Sequence, residues 1–230
     1  MILFSFAEKM EAKIFLENNQ IKKIKEHKLI TKTDFQKISE YQYKDKNFLV
    51  AFTGVGKVNT ALFLSYIISN FKRRIKMIIN CGPAGATFNG EIGEVFLIKK
   101  TNYYDVDITA LPNYELGQLP NLPVYYKTNY KPYKNLNLKE GSCATADRFA
   151  MVGDIDIVEN NFKKDYYLVD MECAAYGQTA TAFNKKFVAI KVISDVIKKQ
   201  NPLDYREKQK IWQTSLAETL IKILEMEKSK

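Results

Sequence analysis

Between positions 75 and 86 the chain reads Ile-Lys-Met-Ile-Ile-Asn-Cys-Gly-Pro-Ala-Gly-Ala, an almost unbroken apolar run that gives way at once to small side chains. The first part, 75–81, has the length and continuity of a strand buried on both faces, as in sheets covered by helices on either side. The second part, 82–86, admits nothing bulky, so another group approaches the backbone closely there. Helices to cover such a strand are present. Lys57–Phe71 places Leu62, Phe63, Tyr66, Ile67 and Asn70 on successive turns, and 205–227 places Trp212, Leu216, Leu220, Ile223 and Leu224 on one face. Further strands are expected at 2–7, 28–33, 36–43, 47–53, 94–99 and 188–194, with a helix over 8–18 that carries Ile14 and Phe15. Strands alternating with helices predict an α/β fold, a three-layer αβα sandwich around a central mixed, twisted sheet. With 230 residues, 46% of them hydrophobic, and no repeat or low-complexity linker, the expected organisation is one domain over 1–230.

Three counts exclude chemistry. The only histidine, His27, stands in the charged run Lys22-Lys-Ile-Lys-Glu-His-Lys28, read as a solvated surface turn. Metal sites built on imidazole and hydrolases that use a Ser-His or Cys-His pair therefore have no support. The three cysteines, Cys81, Cys143 and Cys173, are widely spaced and form no Cys-x-x-Cys pair, which argues against disulfides and zinc and for a reducing cytoplasm. The net charge of +9 comes almost wholly from lysines scattered among acids, with arginine only at 73, 74, 148 and 206, so neither a nucleic-acid-binding arm nor an aromatic-basic strip is formed. No stretch is long and apolar enough to span a membrane, and the opening segment 1–7 meets Glu8 and Lys9 without a basic leader, so no membrane or secretory role is expected.

Thr53-Gly-Val-Gly-Lys-Val58 looks like a nucleotide loop but fits neither standard pattern. A P-loop needs glycine at Ala51 and a hydroxyl at Val58, and a dinucleotide fingerprint needs glycine at Asn59. What remains is a strand, a tight turn and a helix N-terminus, which presents backbone N–H groups to a polar partner. More telling are acids at the ends of apolar runs: Glu11 one turn after the first strand, Asp170 and Glu172 around Met171 after 166–169, and Asp195 after 188–194. Singly, each is as readily a helix cap or a surface acid, and Ser194-Asp195 fits an ordinary N-cap. Together they fit one crevice, because ligands of open α/β sheets bind beyond the carboxyl ends of the strands. They are then candidates for general acid and base work. The segment 109–132, with Pro112, Gly117, Pro120, Pro123 and Pro132, is too long for a plain connector and reads as functional.

In order along the chain, Ala7-Glu-Lys-Met-Glu11-Ala12, Gly54-Val-Gly-Lys-Val-Asn59, Asn80-Cys-Gly-Pro-Ala-Gly85, Asp105-Val-Asp-Ile-Thr109, Gly117-Gln-Leu-Pro120, Ala146-Asp-Arg-Phe149, Val169-Asp-Met-Glu-Cys-Ala174 and Ile193-Ser-Asp195 resemble the 5'-methylthioadenosine/S-adenosylhomocysteine nucleosidases of the nucleoside phosphorylase superfamily. The resemblance implies a three-layer fold and hydrolysis of the bond between ribose and adenine, without a cofactor or metal. Such a reaction passes through an oxocarbenium-like sugar, so the leaving base must be protonated and a nucleophile delivered to the anomeric carbon. By the resemblance Asp195, beside Ser194, protonates the purine, Glu11 activates water, and Glu172 holds the ribose hydroxyls. Phe149 would stack on the adenine, the backbone at Ala150 would read its edge, and Met171 would lie beneath the ribose. Val55 and Tyr205 would line the 5' pocket. The 109–123 loop, with Tyr114 and Pro120, would reach the active site of a neighbouring subunit, implying a homodimer.

Three positions depart from the family pattern. Glu8 stands where a methionine usually helps form the 5' pocket, and its carboxylate must turn outward or meet a charged substrate tail. Pro83 replaces a serine and Lys191 an arginine near the water site, and lysine keeps the charge without the bidentate fork. Two other readings stay open: a phosphate-dependent purine nucleoside phosphorylase, which needs an arginine clamp that four scattered arginines assemble poorly, and an adenine-nucleoside binding protein with weakened catalysis. Methylthioadenosine, S-adenosylhomocysteine and 5'-deoxyadenosine, which differ only in the 5' group that Glu8 would touch, all stay open as substrates.

Overall fold

The computed structural model describes residues 1–29, 33–162, 165–199 and 204–227. Ten strands form one mixed sheet: β1 (Ile2–Phe6), β2 (Ile21–Glu26), β3 (Lys37–Tyr43), β4 (Lys46–Phe52), β5 (Met77–Ala86), β6 (Val95–Tyr103), β7 (Tyr126–Lys127), β8 (Lys139–Thr145), β9 (Tyr167–Asp170) and β10 (Lys186–Val196). The helices are α1 (Lys13–Leu16), α2 (Lys57–Phe71), α3 (Val152–Asn161), α4 (Cys173–Ala182), α5 (Asp204–Glu207) and α6 (Gln209–Met226). None of them is long and apolar enough to cross a membrane.

The strand order is β10-β6-β8-β9-β5-β1-β4-β3-β2, and β10 also pairs with β5, so five strands close on themselves while β1 to β4 extend as an open wing. Alternation along β1 shows how the layers form. Ile2, Phe4 and Phe6 point into a core shared with Phe15 and with Trp212, Leu216, Leu220 and Ile223 of α6. Leu3 points the other way, into a core with Phe63, Leu64 and Ile67 of α2 and Tyr176 of α4. Each large apolar side chain buried in this way contributes about 1.5–3 kcal/mol, and both faces of the sheet are covered. This is the expected sandwich. A third cluster seats α3, through Ile155 and Val158, against Tyr167 and Val169.

One irregularity makes the site. Along β5, pairing with β1 stops at Asn80 and pairing with β9 begins only at Gly85. Over 81–84 the strand is bordered by β10 alone, and Pro83, which lacks an N–H to donate, stands in that gap. The crevice opens there, beyond the ends of β1, β4 and β9.

Several sequence expectations are corrected. The charged run at 22–26 is no turn but edge strand β2, paired antiparallel to β3; its lysines face water and blunt the sheet edge. The strand expected at 28–33 is absent at 28–29, and 30–32 lie outside the described residues. His27 is half-buried, edge-on to Phe71 at 4.9 Å and 3.9 Å from Glu40, and burial lowers its pKa. The helix expected over 8–18 splits into a 3-10 turn, Lys9–Ala12, and the single turn of α1. On α2 the buried stripe is Thr60, Phe63, Leu64, Ile67 and Ile68, while Leu62 is 66% exposed. The closing helix breaks at Lys208 into α5 and α6.

Candidate active site

The crevice is a cavity of about 230 Å³ with Glu11, Glu172 and Asp195 in one wall system, together with Val55, Pro83, Phe149, Ala150, Met171, Lys191, Ser194 and Tyr205. Each acid sits where a strand ends or its neighbour is missing. Glu11 lies in the 3-10 turn after β1, 7% exposed, and its Oε2 accepts the Ala7 N–H at 3.0 Å. Burial, reinforced by the charge of Glu172, raises its pKa to about 8, against the opposing pull of Lys191.

Glu172 follows β9 and caps α4. Its Oε1 accepts the N–H of Gly56 at 2.8 Å, across the cavity from the glycine turn. Gly56 has φ of 96°, a conformation that glycine adopts without strain, and it is the N-cap of α2. The neighbouring Lys57 N–H donates to Asp147 Oδ1 at 2.7 Å. The turn that resembled a nucleotide loop thus directs its N–H groups at the protein's own carboxylates. Burial raises the pKa of Glu172, and Asp170 adds to the rise.

Asp170, a strand-end acid read as a candidate for acid and base work and given no role by the resemblance, organises the floor of the cavity. Its Oδ1 accepts from the Thr145 hydroxyl at 2.6 Å, its Oδ2 from the Cys173 N–H at 2.9 Å, and Lys191 Nζ lies 2.7 Å from Oδ2. Burial works to lower the pKa of Lys191, but Asp170 and the acids around it outweigh burial and hold it well above the usual lysine range. Gly82 brings this pair to Glu11. A Cβ there would stand 3.3 Å from Glu11 Oε2 and 3.8 Å from Lys191 Nζ, so only glycine leaves the approach clear. Donor atoms of Cys143, Asp170 and Cys173 also gather within 4.8 Å, yet the ammonium of Lys191 already occupies the place of a cation beside Asp170.

Asp195 ends the cavity on β10, 7% exposed, with Oδ1 accepting the Ser194 hydroxyl at 2.7 Å. Phe149 presents a half-exposed ring, edge-on to Tyr205 at 6.4 Å, and Tyr205 stacks on Trp212 at 5.6 Å. Glu8 lines the mouth of the cavity and is exposed, which removes the desolvation cost that a carboxylate in the 5' pocket would carry. Tyr114 and Pro120 line no part of this cavity. Their loop is pinned by Gly117, whose N–H donates to Val106 at 2.8 Å, and a Cβ on Gly117 would collide with the Tyr103 carbonyl. Sequence reasoning missed Asn80, buried in the cavity wall with Oδ1 lacking a hydrogen-bond partner among the described residues. A lone amide side chain inside the apolar run of β5 was the available signal.

Residues 8–225 match the phosphorylase superfamily. A 5'-methylthioadenosine/S-adenosylhomocysteine nucleosidase of Bacillus licheniformis is 31% identical over 175 residues, covering 71% of this chain and 74% of the relative. The one from Bacillus velezensis is 30% identical, over 85% of this chain and 87% of its own. The crystal structure of S-adenosylhomocysteine nucleosidase from Streptococcus pyogenes, in complex with 5-methylthiotubericidin, superposes with a TM-score of 0.84 at 27% identity, covering 97% of this chain and 95% of that one. The chain therefore belongs to the phosphorylase superfamily and, within it, to the 5'-methylthioadenosine/S-adenosylhomocysteine nucleosidases.

Proposed function

We propose that the protein hydrolyses the N-glycosidic bond of 5'-methylthioadenosine and S-adenosylhomocysteine, releasing adenine and the 5-thioribose product. The observation that carries hydrolysis over phosphorolysis is the bonding at the N-terminus of α2. Its N–H groups are taken by Glu172 and Asp147, and Glu11 faces the same cavity. A phosphate dianion there would find its donors engaged and carboxylates opposite, whereas water is welcome.

In this reading the ionised Glu11 accepts a proton from water as its oxygen bonds to the anomeric carbon. The electrons of the breaking C–N bond pass to the purine, which takes a proton at N7 from Asp195. The Ser194 hydroxyl on Oδ1 fixes that carboxyl's orientation. Positive charge developing on the sugar is stabilised by Glu11 and Glu172, buried acids held in place before the reaction begins. Glu172, anchored by Gly56, receives the ribose hydroxyls, and Met171 lies beneath the sugar. Phe149 stacks on the base, whose edge meets the Ala150 backbone, and Val55 and Tyr205 flank the 5' sulfur. Pro83 and Lys191 border the water, the lysine as the buried cation paired with Asp170.

The same reading makes the protein a homodimer whose 109–123 loop, with Tyr114 and Pro120, serves the partner's cavity. It is supported by Val58 and Leu62 of α2, 65% and 66% exposed, beside a groove of about 330 Å³ bordered by Val106 and Leu119. Three free, buried thiols, Cys81, Cys143 and Cys173, support a reducing cytoplasmic setting.

The test is adenine release from methylthioadenosine in phosphate-free buffer and again with phosphate added. Release independent of phosphate is expected. Release only with phosphate would establish a phosphorylase, and tight binding without release in either buffer would establish a binding protein.

A further inference from the structure

Beside the reaction cavity lies a second one, of about 510 Å³, whose lining includes Glu8, Lys9, Asp34, Phe35, Lys37 and Val55. The two share Ala7, Glu8 and Val55, so a substituent that leaves the reaction cavity past Val55 enters this trough. Its walls carry two carboxylates and two ammonium groups, all exposed, and none of the four forms an ion pair among the described residues. Phe35, 50% exposed, adds an apolar surface, set against the Gly54 turn so closely that a Cβ there would meet its ring at 2.4 Å. Apolar surface flanked by both signs of charge suits a short aliphatic chain that ends in a zwitterion. A methylthio group gains nothing from those charges and partly dehydrates Glu8.

We infer that the trough receives an α-amino-acid tail carried on the 5' sulfur, its ammonium toward Glu8 and Asp34 and its carboxylate toward Lys9 and Lys37, so that S-adenosylhomocysteine is preferred over methylthioadenosine. The inference rests on the nucleosidase reading, which places the 5' sulfur at Val55. Glu8, where the family pattern has a methionine, is the specificity-determining residue shared by both cavities. Lys9, Asp34 and Lys37 line the trough alone.

The experiment compares kcat/KM for the two substrates in the wild type, in Lys9→Met/Lys37→Met and in Asp34→Asn, together with equilibrium binding of each compound. Exposed charge contacts are worth up to about 1 kcal/mol each. The ratio favouring S-adenosylhomocysteine should therefore fall about tenfold in the double variant and about threefold in Asp34→Asn, while methylthioadenosine turnover changes less than about twofold. In the wild type, KM for S-adenosylhomocysteine should rise with salt and that for methylthioadenosine should not. Glu8→Met should shift the ratio toward methylthioadenosine. Equal use of both substrates by the wild type, or a ratio indifferent to the variants and to salt, overturns the trough. Failure to cleave either compound overturns the nucleosidase reading instead, and the ratio of binding constants then decides the trough by the same criteria.

Discussion

The floor of the reaction cavity and the trough beside it are made from the same side chains, carboxylates and lysines, and differ in what surrounds them. On the floor Glu11, Asp170, Glu172 and Lys191 are all buried, and three acids share one ammonium. Low dielectric makes every one of those charges expensive, and burial raises the pKa of Glu11 and of Glu172, so that these two hold their protons more tightly than free carboxyls do. In the trough Glu8, Lys9, Asp34 and Lys37 stand in water, where a charge costs little and does little beyond choosing what passes. In the proposed reading, burial rather than residue type divides chemistry from selection.

The deepest cut into the floor is Glu11→Gln or Asp195→Asn, each expected to lower kcat by about 10³ or more with an unchanged circular dichroism spectrum. Substantial activity in either variant would reassign that residue. Next comes Asp170→Asn, which removes the carboxylate in direct contact with the buried Lys191 ammonium and should cost about 3–5 kcal/mol in urea unfolding. Adding Lys191→Met to it should recover much of that loss, because both charges are then gone; a double variant as unstable as Asp170→Asn would mean that the pair acts by packing alone.

A third test turns on the proton held by Glu11. Its pKa is raised in the folded state to about 8, so the folded protein binds this proton more tightly than the unfolded chain does. The resulting stabilisation is full below the ordinary carboxylate range and is lost as pH rises toward 8. Glu11→Gln should therefore raise Tm at pH 8.5 by on the order of 5 °C and leave it nearly unchanged at pH 4. Wild-type kcat/KM should climb over the same interval, from about pH 6 to 8, as the base becomes ionised. A flat Tm difference would show Glu11 to be solvated. The smallest change on the floor is Gly82→Ala, whose methyl would press Glu11 from 3.3 Å and should cost about tenfold in kcat with the fold intact. In the trough no single substitution should exceed about threefold.

Much of this architecture was legible because the buried strands advertise themselves. β1, β4, β5 and β10 are apolar runs, and α2 begins and ends where its pattern does. β2 was hidden because its outer edge faces water, so five of its six residues are exposed and no alternation survives. α4 was hidden for the opposite reason: Cys173, Ala174, Ala175, Gly177 and Ala180 are small and buried on several sides, which leaves no amphipathic stripe. The strand-end acids pointed to a crevice, and they do line one. The gap over 81–84 that opens it depends on where β1 and β9 stop pairing, a matter of three dimensions. The role of Asp170 escaped for the same reason, since its partners Thr145 and Lys191 are 25 and 21 positions away on other strands.

The stacking of Tyr205 on Trp212 has a practical corollary. The chain has a single tryptophan, fully buried, and its indole N–H donates to the carbonyl of that same Tyr205 at 3.1 Å. Any molecule settling against Tyr205 perturbs the ring and the dipole that the indole senses, so intrinsic fluorescence becomes a label-free optical reporter of occupancy. No other indole contributes background, and the emission of one buried chromophore can be followed through the whole catalytic cycle.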